Sequence, residues 1–435
     1  MLSLGCPKTL VDSETILGKL QSNYVLTSSV AQCDVALLNT CAFIHDAQQE
    51  SIDRILELVE LKKQKRIKAV IVMGCLVQRF PKALQSELKE VDAFIGSGEY
   101  AKIPEIVERV TEGERVVSVA KPGYLATSGE ARVALTPQHY RYIKISEGCD
   151  HVCTFCTIPS FRGKHRSRTI HDILIEASQL VKEGAKEIIL TGQDTTYFGK
   201  DQANAFLLPT LLQELDQVEG LRWLRLLYAY PSCITPELMR VMQNSKRICH
   251  YLDMPLQHAS DRMLSAMRRG ITKRRTADLI KRFRGTVSDL AIRTTFIVGF
   301  PGETEEDFEE LLAFMEETRF ERLGVFTYSR EEGSPAAALP NQVPEEVKQS
   351  RLERAMLLQQ KISSSVNKRF LGKKLDVLIE EKDEKNPHLW IGRSYMDAPE
   401  VDGNVFVQST KTLAPGSWVS ATIKTTKEYD LAGEL

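Results

Sequence analysis

The sequence predicts an α/β protein in three parts: a parallel-sheet α/β domain, a full or partial (β/α) barrel, and a small antiparallel β-barrel. Three observations predict it. Short apolar strands alternate with helical stretches over roughly the first 128 residues. Six further strand–helix units follow, and beyond about residue 372 the chain breaks into short strands punctuated by Gly, Pro and Asn. Boundaries are expected at 1–128, 135–365 and 366–435, and a length of 435 residues suits two or three domains of roughly 100–200 residues each.

In the first part, Val35-Ala-Leu-Leu-Asn-Thr and Val70-Ile-Val-Met-Gly are β-rich runs. Between them, Ile52, Ile55, Leu56 and Val59 recur at helical spacing within Ala47 to Leu61. Only five residues precede Cys6, so the first strand of this sheet is expected to be clipped. Periodicity fades from Lys121 to Glu130, which reads as a linker. The second part offers strands at Tyr142-Ile-Lys-Ile, Glu187-Ile-Ile-Leu-Thr, Trp223-Leu-Arg-Leu-Leu, Tyr251-Leu-Asp-Met, Thr294-Thr-Phe-Ile-Val and Leu323-Gly-Val-Phe-Thr. Helical patterns such as Ile173 to Glu183 and Glu305 to Thr318 separate them, and a charged helix with Leu352, Met356, Leu357 and Ile362 closes the part. The third part holds Val377-Leu-Ile-Glu, Leu389-Trp-Ile-Gly, Val405-Phe-Val-Gln and Trp418-Val-Ser-Ala-Thr-Ile.

Composition excludes some classes. A formal net charge of -1 gives no global field that would draw nucleic acid or an anionic membrane. No apolar run reaches the roughly 18 residues that span a bilayer, and the start lacks the pattern of a signal peptide, so a cytoplasmic protein without membrane partners is expected. In that compartment the nine cysteines point to metal or catalytic roles rather than disulfides.

Cys149, Cys153 and Cys156 form a C-x3-C-x2-C loop just after the first strand of the second part. A four-iron cluster normally takes four thiolates, so three leave one iron open to a small molecule with an amino group and a carboxylate. A zinc knuckle is the alternative, but zinc sites usually offer a second C-x2-C pair, and none follows nearby.

With Phe155 between its last two cysteines, this loop resembles the radical S-adenosylmethionine superfamily. The resemblance implies that the reduced cluster cleaves the cofactor to a 5'-deoxyadenosyl radical, which takes a hydrogen from substrate. It also implies cofactor contacts at Gly192 and Gln193, in Thr191-Gly-Gln-Asp-Thr, and at Thr294, Gly299 and Gly302, in the strand and turn Thr294 to Thr304. No protein acid or base is expected, because hydrogen abstraction by a bound radical requires none.

Cys6, Cys41 and Cys75 sit in Gly-Cys-Pro-Lys, Asn-Thr-Cys-Ala and Gly-Cys-Leu, each just after an apparent strand. Loops at strand C-termini converge in a parallel sheet, so these thiols could meet around a second cluster; small buried hydrophobes are the alternative reading. Cys33, Cys233 and Cys249 lack such contexts and read as core thiols. The three contexts, with Gln78-Arg79 after the last, resemble the N-terminal domain of the methylthiotransferases. That family carries two [4Fe-4S] clusters and a C-terminal TRAM barrel. The resemblance implies that Cys6, Cys41 and Cys75 hold the sulfur-supplying cluster and that S-adenosyl-L-methionine serves both as methyl donor and as radical source.

Members modify either adenosine in transfer RNA or an aspartate of small-subunit ribosomal protein twelve. The stretch Cys153 to Arg168, Tyr251-Leu-Asp-Met-Pro-Leu-Gln-His, and Gly392-Arg-Ser-Tyr-Met-Asp-Ala-Pro-Glu-Val-Asp-Gly resemble the second, RimO-type group. That implies the ribosomal protein, free or in the subunit, as partner, with an electron donor such as flavodoxin or ferredoxin. Charge is expected to agree. Residues 366–435 hold ten Lys or Arg against eleven Asp or Glu. A transfer-RNA clamp should be basic, whereas clustered Asp397, Glu400 and Asp402 would suit a basic protein. The run Arg162-Gly-Lys-His-Arg-Ser-Arg keeps phosphate binding open beside cofactor or substrate carboxylates, and Arg268-Arg269 with Lys273-Arg274-Arg275 reads as a solvated helix end. A transfer-RNA methylthiotransferase and a non-enzymatic iron–sulfur or zinc module are the rival readings.

Overall fold

The computed structural model describes residues 1–435, the side chain of Ala31 excepted. The N-terminal unit is a five-stranded parallel sheet in sequential order: β1 Leu2–Ser3, β2 Val35–Thr40, β3 Ala69–Gly74, β4 Ala93–Gly96 and β5 Val116–Ser118. Helices cover both faces, so β3 and β4 are buried along their whole length, which is why they read as unbroken apolar runs. The edge strand β1 has two residues. The helix expected from Ala47 to Leu61 runs His45–Lys63.

The middle unit has six parallel strands: β6 Tyr140–Lys144, then, after the small hairpin β7 Ser146–Glu147 with β8 Arg166–Ser167, β9 Glu187–Thr191, β10 Trp223–Leu226, β11 Tyr251–Asp253, β12 Ala291–Val298 and β13 Arg322–Thr327. They form two three-stranded sheets, β10-β9-β6 and β11-β12-β13, joined by an isolated parallel bridge between Leu224 and Ile248. The result is a partial barrel with its helices outside. Thr304 caps the helix Glu305–Thr318 in a reciprocal box with Asp307, so this threonine sets a helix start. The closing helix is Glu345–Asn367; Ile362 is buried against the barrel, but Leu357 points to solvent.

The C-terminal unit is a closed barrel of β14 Lys374–Lys382, β15 Leu389–Arg393, β16 Val405–Gln408, β18 Leu431–Glu434 and β17 Trp418–Thr426. Two details differ from expectation. A fifth strand, β18, closes the sheet, and it runs parallel to β16 while every other pairing is antiparallel.

This barrel plugs the N-terminal end of the middle unit. Tyr140, Glu187, Trp223, Tyr251 and Arg322 are the first residues of their strands, and all face it. Trp223 meets Trp418 edge-on at 4.4 Å, and the Tyr251 hydroxyl donates to Asp402. Fully buried Glu187 accepts from Arg225 at 2.6 Å and from Arg393 at 2.7 Å. Arg322 pairs with Asp397 at 2.5 Å, and Arg293 with Asp402 at 3.3 Å. Asp397 and Asp402 are therefore interior struts, which corrects the expectation that they present an acidic face to a basic partner; only Glu400 of that cluster is exposed.

Burial alone would raise Glu187, but Arg393 and Arg225 outweigh it and hold the carboxyl below its ordinary range. Its contribution is thus present at neutral pH, starts to fade below the unfolded value of about 4.3, and is gone once pH has fallen through the folded value. Arg393→Ala leaves Glu187 and Glu380 short of a partner in a dry interface and is expected to lower unfolding free energy by about 3–5 kcal/mol. Urea unfolding at pH 7 checks this, and an unchanged midpoint would refute the docking role.

Candidate active site

The C-terminal ends of the barrel strands face the opposite way, toward the N-terminal unit. Cys149 follows β7, and the glycine before it is required: Gly148 has φ +83°, and a Cβ there would lie 2.1 Å from the Lys164 carbonyl oxygen. The loop is pinned on several sides. Cys149 N–H donates to the Gly163 carbonyl at 3.1 Å, His165 N–H to Asp150 at 3.0 Å, and the Thr154 hydroxyl to the Ala266 carbonyl at 2.8 Å. Burial pushes the Cys149 and Cys156 thiols up to about 12. Thiols crowded in so dry a pocket ionise only when a cation replaces their protons, which is the condition metal ligation meets.

Arg269 donates to Cys153 Sγ at 3.2 Å and lies 4.1 Å over the Tyr230 ring, while His151 stacks on that ring at 3.6 Å and meets Asp194 at 2.5 Å. Arg269 is buried, a correction to its reading as part of a solvated helix end. Donor atoms of His151, Asp194 and Cys233 come within 4.8 Å of one another. Asp194 is already engaged by Thr196 through both N–H and hydroxyl, so this group braces the loop.

Cys6, Cys41 and Cys75 follow β1, β2 and β3, three adjacent strands, and the structure brings them together. At Gly5, φ +93°, a Cβ would sit 3.2 Å from Cys41 Sγ, so only glycine lets the Cys6 turn close on Cys41. Burial and then the neighbouring Cys6 and Cys75 push Cys41 up to about 12. Arg162 donates to Cys75 Sγ from Nε at 3.2 Å and Nη2 at 3.0 Å.

Arg162 belongs to the middle unit, in the short helix just past Cys156, and so it ties that segment to Cys75 of the N-terminal unit. Its Nη1 binds Asp12 at 2.9 Å and Glu147 at 3.2 Å, and Lys144 holds the same two carboxylates. Gln193 donates to the other Glu147 oxygen at 2.5 Å. Burial opposes ionisation of Glu147, but Lys144 and Arg162 prevail and hold it at about 2. Arg168 is likewise buried on Asp172 and Glu176. These two arginines of the basic run are consumed internally and offer no stripe to phosphates, which corrects the nucleic-acid option for Arg162 and Arg168.

Polar atoms without partners mark the barrel mouth. Ser146 Oγ, Thr191 Oγ1, Gln193 Oε1 and Gln257 Oε1 are buried and unsatisfied. Buried polar groups are normally paired, so this set, beside three thiols, fits a ligand as polar as S-adenosylmethionine. Gly192 and Gln193 lie here, immediately after β9. Thr294 is different: its hydroxyl donates to the Met254 carbonyl and accepts from Leu256 N–H inside the sheet. Gly299 and Gly302 form the turn after β12 with φ +74° and +80°, Gly299 packed on the Lys348 side chain. Sequence reasoning missed Lys8, His151, Asp194, Tyr230 and the true place of Arg269. An arginine pair next to lysines gives no sign of burial.

Fold and site together define a radical S-adenosylmethionine enzyme. The profile of the Radical SAM superfamily matches residues 143–315, that of Uncharacterized protein family UPF0004 residues 1–96, and that of the TRAM domain residues 371–435. The chain is 49% identical over 435 residues to the ribosomal protein uS12 methylthiotransferase RimO of Pelotomaculum thermopropionicum, covering 100% of this chain and 98% of that one. It is 46% identical to the protein of that name from Desulforamulus reducens, over 100% and 98% of the two chains, and 44% identical to that of Clostridioides difficile, over 100% and 97%. Among solved structures, the radical S-adenosylmethionine methyltransferase TsrM from Kitasatospora setae shares the fold with TM-score 0.57 at 13% identity, covering 95% of this chain and 81% of that one. The chain belongs to the RimO family of ribosomal protein uS12 methylthiotransferases. Among the described residues no helix is long and apolar enough to cross a membrane.

Proposed function

We propose that this enzyme attaches a methylthio group to the β-carbon of an aspartate in ribosomal protein uS12, using two [4Fe-4S] clusters. Cys149, Cys153 and Cys156 hold the cluster that meets S-adenosylmethionine, and Cys6, Cys41 and Cys75 hold the auxiliary one. Two cysteine trios, one on the loop after β7 and one at the ends of β1, β2 and β3, with the buried Arg162 network running from Cys75 to Glu147, carry this reading. When bound, the clusters and cofactor supply the electron, the 5'-deoxyadenosyl radical, the sulfur and its methyl group.

The chain's own residues position and exclude. Arg269 and Arg162 each donate to one cysteine sulfur, and hydrogen bonds to such sulfurs tune a cluster's potential. Gln193 and Ser146 stand where the polar end of the cofactor would seat, with Gln193 oriented by Glu147. The N-terminal unit reaches across the mouth, where Arg79 pairs with Glu331 at 2.8 Å in the loop after β13, and so keeps water from the radical. A small flavoprotein or ferredoxin-type donor would supply electrons in the cytoplasm.

The test offers the anaerobically reconstituted enzyme uS12 and unmodified transfer RNA in parallel. Mass spectrometry is expected to find methylthio on an aspartate-containing peptide and none on adenosine. Modified adenosine alone would keep the chemistry and overturn the substrate.

A further inference from the structure

Lys8 follows the Cys6-Pro7 turn in the first turn of the helix Pro7–Leu20, and it is only 9% exposed. A buried ammonium ordinarily has a carboxylate beside it, because leaving one unpaired is costly. Among the described residues Lys8 makes no ion pair: its Nζ donates to the Gly192 carbonyl at 3.4 Å and lies 3.4 Å over the Tyr228 ring. Its strongest electrostatic neighbours are the Cys6 sulfur and the Tyr228 hydroxyl, neither of them a carboxylate; the one carboxylate that reaches it, Glu147, is already bound by Lys144, Arg162 and Gln193. Tyr228 itself is held at φ +59°, a conformation that is strained for a bulky residue, and its ring lies under the ammonium.

The ammonium thus stands beside the auxiliary trio, on the helix that follows Cys6, and reaches the turn that follows β9. We propose that Lys8 receives a carboxylate there and that the carboxylate is the side chain of the aspartate undergoing methylthiolation. This deepens the function proposed above and rests on it. The β-carbon of an aspartate is bonded to its carboxyl carbon, so a fixed carboxylate fixes the carbon to be attacked. The other carboxylate that could occupy the position is that of S-adenosylmethionine, but Lys8 is carried by the sulfur-delivering unit, where a contact to the acceptor aligns the acceptor with sulfur.

The test compares binding of uS12, and of uS12 with asparagine at the modified position, to the reconstituted holoenzyme by calorimetry. Lys8→Met and Lys8→Arg are measured alongside wild type, with the dissociation constant of S-adenosylmethionine for each. Wild type is expected to prefer the aspartate form about tenfold or more, as for hydrogen bonds to charged groups. Lys8→Met should lose that preference, Lys8→Arg should regain part of it, and cofactor affinity should stay within about twofold of wild type. Thermal melts and iron content show that the variants are folded and loaded, and Lys8→Arg covers the case in which Lys8→Met is not. If Lys8→Met weakens cofactor binding and still tells aspartate from asparagine, the carboxylate is that of S-adenosylmethionine and the proposal is overturned. A preference unchanged in both variants also overturns it. A wild-type enzyme that neither binds nor modifies uS12 overturns the proposed function itself, and this inference with it.

Discussion

Cys149→Ala is expected to abolish reductive cleavage of S-adenosylmethionine. Three thiolates already leave one iron of a cubane open, and a loop with two cannot hold it. The loop itself should survive the change, since the Cys149 N–H still donates to the Gly163 carbonyl and Asp150 still binds His165 N–H. Loss of activity without loss of fold is therefore the predicted signature. It would be measured as 5'-deoxyadenosine formation under dithionite, beside thermal melting and iron content. Cys249→Ala is the control: this thiol lies in the apolar core between barrel and C-terminal unit, and its loss should cost a little stability and no iron. Cleavage at the wild-type rate by Cys149→Ala would remove the cysteine from the ligand set.

The contrast between those two thiols shows what the sequence could and could not convey. Cys149, Cys153 and Cys156 are legible because their chemistry is local, three donors on one short loop. The barrel strands are legible for a similar reason: β6, β9, β10 and β11 are buried along their whole length, while β12 alternates buried with half-buried residues. Cys6, Cys41 and Cys75 are 35 and 34 residues apart, and spacing alone leaves them as plausible core thiols; only the parallel order of β1, β2 and β3 brings them to one edge. Long-range pairing is where the pattern falls silent. Asp397 and Asp402 look like a solvated acidic loop until Arg322 and Arg293 arrive from another domain, and Arg269 looks like a helix-end charge until Cys153 does. The strand Leu431–Glu434 escaped notice because Leu-Ala-Gly-Glu has no β-branched or aromatic residue to mark it.

The trio that only topology assembles gives the sharper experiment. Cys6→Ala is expected to leave 5'-deoxyadenosine formation running while methylthiolation of uS12 stops. The radical-forming trio stands on its own loop in the middle unit, whereas the auxiliary trio draws all three thiols from the N-terminal sheet, so losing one should empty that centre alone. Iron content should fall by about half, one of two four-iron clusters. The substitution is mild for the fold, because Cys6 is only partly buried and its sulfur makes no bond closer than 3.7 Å, to the Thr9 hydroxyl. Sulfur insertion at the normal rate by Cys6→Ala would refute the auxiliary assignment. Cleavage and insertion lost together, with iron near zero, would mean instead that the two centres assemble as one unit, coupled through the Arg162 network that joins Cys75 to Glu147 and Gln193.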